Sequence, residues 1–125
     1  MAYVELHARS AFSFLRGASS PEDLVAACAD CQVPAVALCE RNGVYSVVRA
    51  HMAAREQGVR AIVGAEVVME DGGVVPLLVE NQAGYRNLCR LLTRAKLRSP
   101  KGHGSATWEE LESHADGLVA LTGDE

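Results

Sequence analysis

The 125 residues are 49% hydrophobic and carry a net charge of −4, which suits a single globular domain, or part of a larger one, with a real core. No apolar run approaches the roughly 20 residues that a membrane-spanning helix needs. The first residues also lack the basic and apolar stretches of a secretion signal. We therefore expect a cytoplasmic protein without a membrane partner, and four unevenly spaced cysteines favour buried thiols over a disulfide framework.

The first half of the chain predicts two strands, each followed by a helix. A strand over residues 3–7 leads into a serine-rich loop at 8–19, and Ser20-Pro21 is typical of a helix N-terminus. The continuous apolar run at 34–39 predicts a buried strand, followed by a loop at 40–43 and a helix ending at Gly58. The predicted inward faces are Leu24, Ala27, Cys28 and Cys31 on the first helix, and Val44, Val47, Val48 and His51 on the second.

The second half predicts strands at 60–69 and 74–79 joined by a turn at 71–73, then a helix at 82–97. Pro76 cannot donate a ladder hydrogen bond, so we place it at a sheet edge or at the irregular start of its strand. Thr107 and Glu110 form a capping box for a short helix, and residues 117–121 form a last strand. The inward residues of the helix at 82–97 are predicted to be Tyr85, Leu88, Cys89 and Leu92.

The alternation of strands and helices predicts an α/β fold with a mostly parallel sheet and right-handed crossovers. The last residues follow a strand directly, where a barrel would continue into another helix. We therefore expect residues 1–125 to be a fragment of a larger barrel, with a compact domain that ends on an edge strand as the alternative. Exposed sheet edges could also pair between copies to form a homo-oligomer.

Polar residues follow the first three strands, at the sheet end where active sites of parallel α/β folds collect. They are His7, Glu40 and Glu66, with Arg9, Arg16 and Arg41 from the adjoining loops. Two carboxylates and an imidazole at one rim would suit a divalent metal.

Four sequence blocks stand out in chain order, namely LHARSAFSFLRG at 6–17, ALCERNGVY at 37–45, GAE at 64–66 and LLVENQAGYRNL at 77–88. Together they resemble the PHP (polymerase and histidinol phosphatase) domain family. The resemblance is strongest to the N-terminal PHP domain of bacterial C-family DNA polymerase III alpha subunits, in the error-prone, damage-induced branch. The resemblance implies part of a (β/α)7 barrel in a protein of DNA replication and translesion repair. The palm, fingers and thumb domains, which perform nucleotidyl transfer in that family, would lie outside this chain, and they and DNA are the implied partners.

The family's metal motifs are only partly retained. The pattern opens with His-x-His, but here Arg9 follows His7, and Arg16 precedes Gly17 where an acidic residue is expected. The Asp-His pair is replaced by Glu40-Arg41, whereas Glu66 is intact.

Arginine stays protonated and cannot bind a metal, so we expect no cofactor and no trinuclear site. We expect the arginines instead to form ion pairs with Glu40 or Glu66. The fragment would then be a catalytically silent platform. The alternative is a metal-dependent phosphoesterase or 3′-5′ proofreading exonuclease that uses Zn or Mn.

A second candidate site is a basic stripe on the helix at 82–97. Between Asn81 and Trp108 there are six cations and no carboxylate, and four arginines recur every four residues. Together with a lysine that follows, they could contact nucleic-acid phosphates or an acidic neighbouring domain, or could simply be solvated. The residues are Arg86, Arg90, Arg94, Arg98 and Lys101.

The remaining cysteines and histidines predict no site. Cys28 and Cys31 have CxxC spacing, but no second cysteine pair stands at zinc spacing, so we assign both to the core. His51 is interpreted as a packed histidine on its helical stripe. His103 and His114 have no partner pattern and receive no role.

Overall fold

The computed structural model describes residues 3–123. The elements in chain order are β1 (Glu5–Ala8), α1 (Pro21–Asp30), β2 (Ala35–Arg41), α2 (Val47–Gln57), β3 (Arg60–Val68), β4 (Val74–Val79), α3 (Gln82–Arg98), α4 (Trp108–Ser113) and β5 (Leu118–Ala120). Among these residues no helix is long and apolar enough to cross a membrane.

The strands form a mixed sheet in the order β1-β2-β3-β4-β5. β1 pairs parallel to β2, with Glu5 opposite Val36, whereas β5 pairs antiparallel to β4, with Leu77 opposite Ala120. The predicted α/β class, a mostly parallel sheet flanked by helices, is confirmed. The antiparallel β4–β5 pair is a feature that the alternating sequence pattern did not predict.

The chain divides into two compact units, residues 3–40 with 44–64 and residues 41–43 with 65–123. In the first unit, the Ser20 side chain accepts a hydrogen bond from the Asp23 N–H, and α2 ends at Gly58 in the left-handed conformation with φ of 73°. The predicted start of α1 at Ser20 and the predicted end of α2 at Gly58 are therefore confirmed. The core of this unit consists of Val25, Val36, Leu38, Ala50, Ala54 and Val59.

The two predicted helix faces in the first unit match the structure only in part. On α1, Leu24 and Cys28 pack against the core as predicted, whereas Ala27 and Cys31 are exposed. Val48 is 68% exposed and His51 is also exposed, because α2 packs through its alanines, whose small side chains let a helix approach closely. On α1 the fully buried residues are Pro21 and Val25. Cys31 is exposed at the helix C-terminus, so only Cys28 of the CxxC pair packs against the core.

In the second unit, α3 begins at Asn81, whose side chain accepts a hydrogen bond from the Gly84 N–H. Its buried residues are Gly84, Leu88, Leu91, Leu92 and Ala95. Tyr85 was predicted to be inward but is 36% exposed, because the buried face is centred on the row from Gly84 through Leu88 to Ala95.

The expected position of Pro76 is also wrong. β4 is flanked by β3 and β5, so it is not an edge strand, and Pro76 is its third residue rather than its start. The β4–β5 register begins at Leu77, and the Pro76 carbonyl accepts a hydrogen bond from the Leu121 N–H at 2.9 Å. The proline therefore lies at the end of that pairing, where its missing N–H costs little.

Three contacts stabilise the second unit around α3 and α4. The α4 capping box is present, with Thr107 and Glu110 bonding to each other's backbone N–H groups. The indole N–H of Trp108 donates to Asp71 Oδ2 at 3.0 Å, which ties α4 to the turn after β3. Gly84 of α3 lies directly against the Gly117 backbone, where there is no room for a β-carbon.

Candidate functional site

β2 continues through Glu40 and Arg41, which were predicted to lie in a loop. Because successive residues of a strand point to opposite faces, these neighbours enter different side-chain clusters. The strand ends at Arg41, and the next residue, Asn42, has a φ of 54° and donates its backbone N–H to the Glu66 carbonyl at 2.7 Å.

The first cluster, which we call the serine cage, consists of Glu40, Ser10, Ser13 and Ser46. Glu40 Oε1 accepts hydrogen bonds from the Ser10 N–H at 2.9 Å and the Ser13 hydroxyl at 2.8 Å. Oε2 accepts from the Ser10 hydroxyl at 2.9 Å and the Ser46 hydroxyl at 2.7 Å. A carboxylate offers about four lone-pair positions, so these four donors satisfy the 99% buried Glu40 side chain.

The serine cage fixes the loop between β1 and α1. Within the loop, the Ser13 N–H donates to the Ser10 carbonyl at 2.9 Å, and the Ser13 carbonyl accepts from the Arg16 and Gly17 N–H groups at 2.8 and 3.0 Å. Gly17 lies against the Ser10 carbonyl with no space for a β-carbon. The hydrogen-bonded turn and the bonds to Glu40 together hold the loop in a compact conformation. Leu15 lies exposed at the tip of the loop in a left-handed conformation (φ 65°).

The second cluster is a buried ion pair. The Arg41 Nε–H donates to Glu66 Oε1 at 3.0 Å, and the Glu66 side chain is fully buried while that of Arg41 is 29% exposed. The Asn42 side chain accepts from the Val68 N–H at 3.1 Å and donates to the Gly104 carbonyl at 3.0 Å. A buried carboxylate needs such a partner, because an uncompensated charge in the interior costs several kcal/mol.

The predicted site residues are therefore distributed as follows. Of the ion pairs predicted between the arginines and the two glutamates, the Arg41–Glu66 pair is present. Arg9 is half-buried and Arg16 is exposed, both in the segment between β1 and α1. His7 is the penultimate residue of β1 and is half-buried. Its backbone N–H donates to Glu5 Oε1 at 3.0 Å.

The serines of the cage are residues of the candidate site that the sequence did not predict. A signal was present, since Ser10 and Ser13 stand three residues apart in the loop before Gly17. Serine is not a preferred metal ligand, however, and the carboxylate that it binds is 27 to 30 residues away in the chain.

The residues present do not fit a PHP-type metal centre. Both oxygens of Glu40 already accept two hydrogen bonds each, and Glu66 Oε1 already accepts a hydrogen bond from the protonated Arg41 guanidinium. Across residues 3–123, no group of three or more His, Cys, Asp or Glu side chains is arranged to hold a metal ion.

Four members of the predicted basic stripe lie on α3, the fifth, Lys101, follows the helix in a turn, and all five are exposed. Arg98 differs from the others because it forms a forked ion pair with Glu110, at 2.7 and 3.0 Å. These hydrogen bonds, with that from the Thr107 N–H, lower the pKa of Glu110 to about 2.

The other cysteines and histidines contribute no assembled site. Burial raises the pKa of the Cys28 thiol, which disfavours the reactive thiolate. His103 is exposed. His114, by contrast, is buried at the end of α4, with its ring Nδ1 2.7 Å from the Glu110 carbonyl oxygen.

The fold is that of a partial α/β barrel, and two solved structures share it. An amidohydrolase from Chromobacterium violaceum with bound sulfate and no metal aligns with a TM-score of 0.62 at 23% identity, covering 77% of this chain and 34% of that one. A "putative metal-dependent phosphoesterase" from Bifidobacterium adolescentis aligns with a TM-score of 0.57 at 20% identity, covering 76% and 34%. At these identities the likeness shows the fold alone.

The chain belongs to the PHP domain family, whose model matches residues 5–125. It is 44% identical over 120 residues to a protein of Pseudomonas aeruginosa named Error-prone DNA polymerase, and 48% identical over 135 aligned positions to one of the same name from Anaeromyxobacter sp.. These alignments cover 96% and 95% of this chain but 12% of each relative, so the chain spans about an eighth of their length. The predicted resemblance is thereby confirmed.

Proposed function

We propose that this chain is the PHP portion of an error-prone DNA polymerase and that it acts as a structural platform without a metal-dependent reaction of its own. Its partners would be the remaining polymerase domains and DNA, in the cytoplasm, during replication past damaged template. Nucleotidyl transfer would belong to those other domains. The names and coverage of the relatives support the polymerase assignment.

The serine cage is the observation that carries the platform proposal. A metal ligand must offer a lone pair, and all of those on Glu40 are taken by donors from the loop after β1 and from the residue before α2. Direct metal binding would break hydrogen bonds to a buried charged group, each contributing about 1.5 to 3 kcal/mol. The same carboxylate that could bind a cation is thus used to hold the loop.

The alternative function is a metal-dependent phosphoesterase or 3′-5′ exonuclease that uses Zn or Mn. It is favoured by His7 and Glu66, which the family pattern retains, and by Glu40, which keeps a carboxylate where the family has aspartate. It would require the serine cage to open and Arg41 to leave Glu66.

The two functions are separated by metal analysis combined with hydrolysis assays. The purified chain is incubated with Mn²⁺ or Zn²⁺, desalted and analysed for metal, and then assayed on p-nitrophenyl phosphate and a 3′-labelled oligonucleotide. We expect no stoichiometric metal and no turnover above that of His7→Ala. The matched control is His51→Ala, which changes an exposed histidine. Turnover abolished by His7→Ala and unaffected by His51→Ala would establish the enzyme instead.

The platform role itself requires a polymerase. In a chimera, this chain replaces the matching segment of the Pseudomonas aeruginosa relative, and primer extension is measured. We expect His7→Ala to leave extension unchanged and Glu40→Ala to reduce it, because only the latter releases the loop. Equal extension by both variants would count against a structural role for the cage. Pairing of sheet edges between copies stays a prediction, and a sedimentation series over concentration tests it.

A further inference from the structure

The outward side of α3 carries three exposed arginines, Arg86, Arg90 and Arg94, which we call the arginine face. Within residues 3–123, none of the three forms an ion pair or a side-chain hydrogen bond. No Asp or Glu occurs anywhere in α3. The face is therefore positively charged and not neutralised by its own helix.

Three other arginines are paired, whereas within residues 3–123 Arg55 and Arg60 of the first unit are exposed and form no ion pair, like the arginine face. Arg41 pairs with Glu66, Arg98 with Glu110, and Arg49 with Glu22, the last through two bonds of 2.6 and 2.8 Å. The chain has 16 acidic residues against 12 lysines and arginines, so carboxylates are not scarce. Within residues 3–123 no carboxylate pairs with the arginine face, which leaves its three guanidiniums available to an external anion.

The spacing of the arginine face suits a repeating anion. Four residues of α-helix rise about 6 Å, so the three arginines span about 12 Å. One strand of a DNA duplex presents a phosphate about every 3.4 Å along the axis, so the face spans about four phosphates. The planar guanidinium matches phosphate oxygens in pairs.

The surface between the arginines offers room for a phosphate and little for base stacking. A shallow depression is lined by Cys89, Arg90, Thr93 and Arg94, and the Thr93 hydroxyl is turned to the Cys89 carbonyl at 2.7 Å. Tyr85 is the one aromatic residue of α3, and about two thirds of it is covered. Single-strand binding usually depends on exposed aromatic rings.

We propose that the arginine face binds the phosphate backbone of duplex DNA without reading its sequence. The inference rests on the charge and exposure of α3 and not on the proposed platform function, so each can fail alone. Phosphate contacts position a protein on DNA, whereas specificity comes from base edges. The arginine face is therefore a positioning surface.

The salt dependence of binding tests the proposal. Fluorescence anisotropy of the 125-residue chain with a labelled 20-base-pair duplex is measured between 25 and 200 mM NaCl. Three phosphate contacts give a slope of about −2.7 in log K against log salt, or roughly a 40-fold loss of affinity from 50 to 200 mM. Arg90→Gln/Arg94→Gln should reduce the slope to about −0.9, while Arg90→Lys/Arg94→Lys, which keeps both charges, should stay close to the unmodified protein.

The matched control is Arg55→Gln/Arg60→Gln, which removes the same charge from two exposed arginines of the first unit. We expect it to leave the slope unchanged, and circular dichroism verifies that both double variants are folded. An equal effect of the two glutamine variants would show that only net charge matters and would overturn the proposal. Displacement of the duplex by polyglutamate as readily as by unlabelled DNA would indicate an acidic protein partner instead. Absence of binding at 25 mM salt would also overturn it.

Discussion

Replacing Ser13 by alanine isolates one bond of the serine cage. The Ser13 hydroxyl donates to Glu40 Oε1 at 2.8 Å, and both residues are buried. Ser13→Ala removes a single oxygen, so the cavity it creates is small. The main effect is that a buried carboxylate oxygen loses one of its two donors, while the Ser10 N–H remains in place.

The expected loss follows from the charge of the acceptor. A hydrogen bond to a charged group contributes about 1.5 to 3 kcal/mol, compared with about 1 kcal/mol for a neutral pair. We therefore expect Ser13→Ala to lower the free energy of unfolding by about 2 kcal/mol. With a urea dependence of about 2 kcal/mol per M, the unfolding midpoint falls by about 1 M.

Urea unfolding followed by far-UV circular dichroism measures this loss, and the same loop supplies its control. Ser19 is exposed, so Ser19→Ala should change stability by no more than about 0.5 kcal/mol. If the Ser13→Ala midpoint coincides with that of Ser19→Ala, the cage does not stabilise the loop and the reasoning is refuted.

Two further predictions concern the second unit. Because the pKa of Glu110 is lowered to about 2 from 4.5, its ion pair stabilises the fold fully above about pH 4.5, and this stabilisation is lost as the pH falls towards 2. Carboxyl NMR titration should show the pKa returning towards 4.5 in Arg98→Gln, and an unchanged value would contradict the assignment. Gly84→Ala should destabilise the protein by about 1 to 3 kcal/mol in urea unfolding, because its β-carbon meets the Gly117 backbone. In the control Gly104→Ala the nearest atoms are 3.6 Å away, so a similar loss there would show that the clash is not the cause.

Element positions follow from local chemistry, which is why they are predictable. The bounds of β4 and the start of α3 match the prediction, and the Ser20, Gly58 and Thr107 caps lie where their residue types place them. Such signals act within a few residues and need no knowledge of distant contacts.

Helix faces are less predictable, because periodicity identifies apolar residues but not which of them the sheet contacts. On α2 the apolar residue Val48 was predicted to face the core but is exposed to solvent, whereas Ala50 and Ala54 are buried. Alanine adds little to a hydrophobic pattern, but its small volume permits close packing.

The contacts of the candidate site could also be predicted only in part from the sequence. The replacement of metal ligands by Arg41 is visible in the sequence, and its pairing with Glu66 follows from charge. The caging of Glu40 is not visible, because Ser10 and Ser13 lie in one loop, Ser46 lies in another segment, and only the folded first unit brings them to Glu40.

Trp108 allows the unfolding of the second unit to be followed separately from that of the first. The chain contains one tryptophan, and it lies in the second unit. Its fluorescence therefore reports the unfolding of that unit, while circular dichroism records helices of both. Coincident transitions would mean that the units unfold cooperatively. In Ser13→Ala, a circular dichroism transition that moves while the tryptophan transition stays would assign the loss of stability to the first unit.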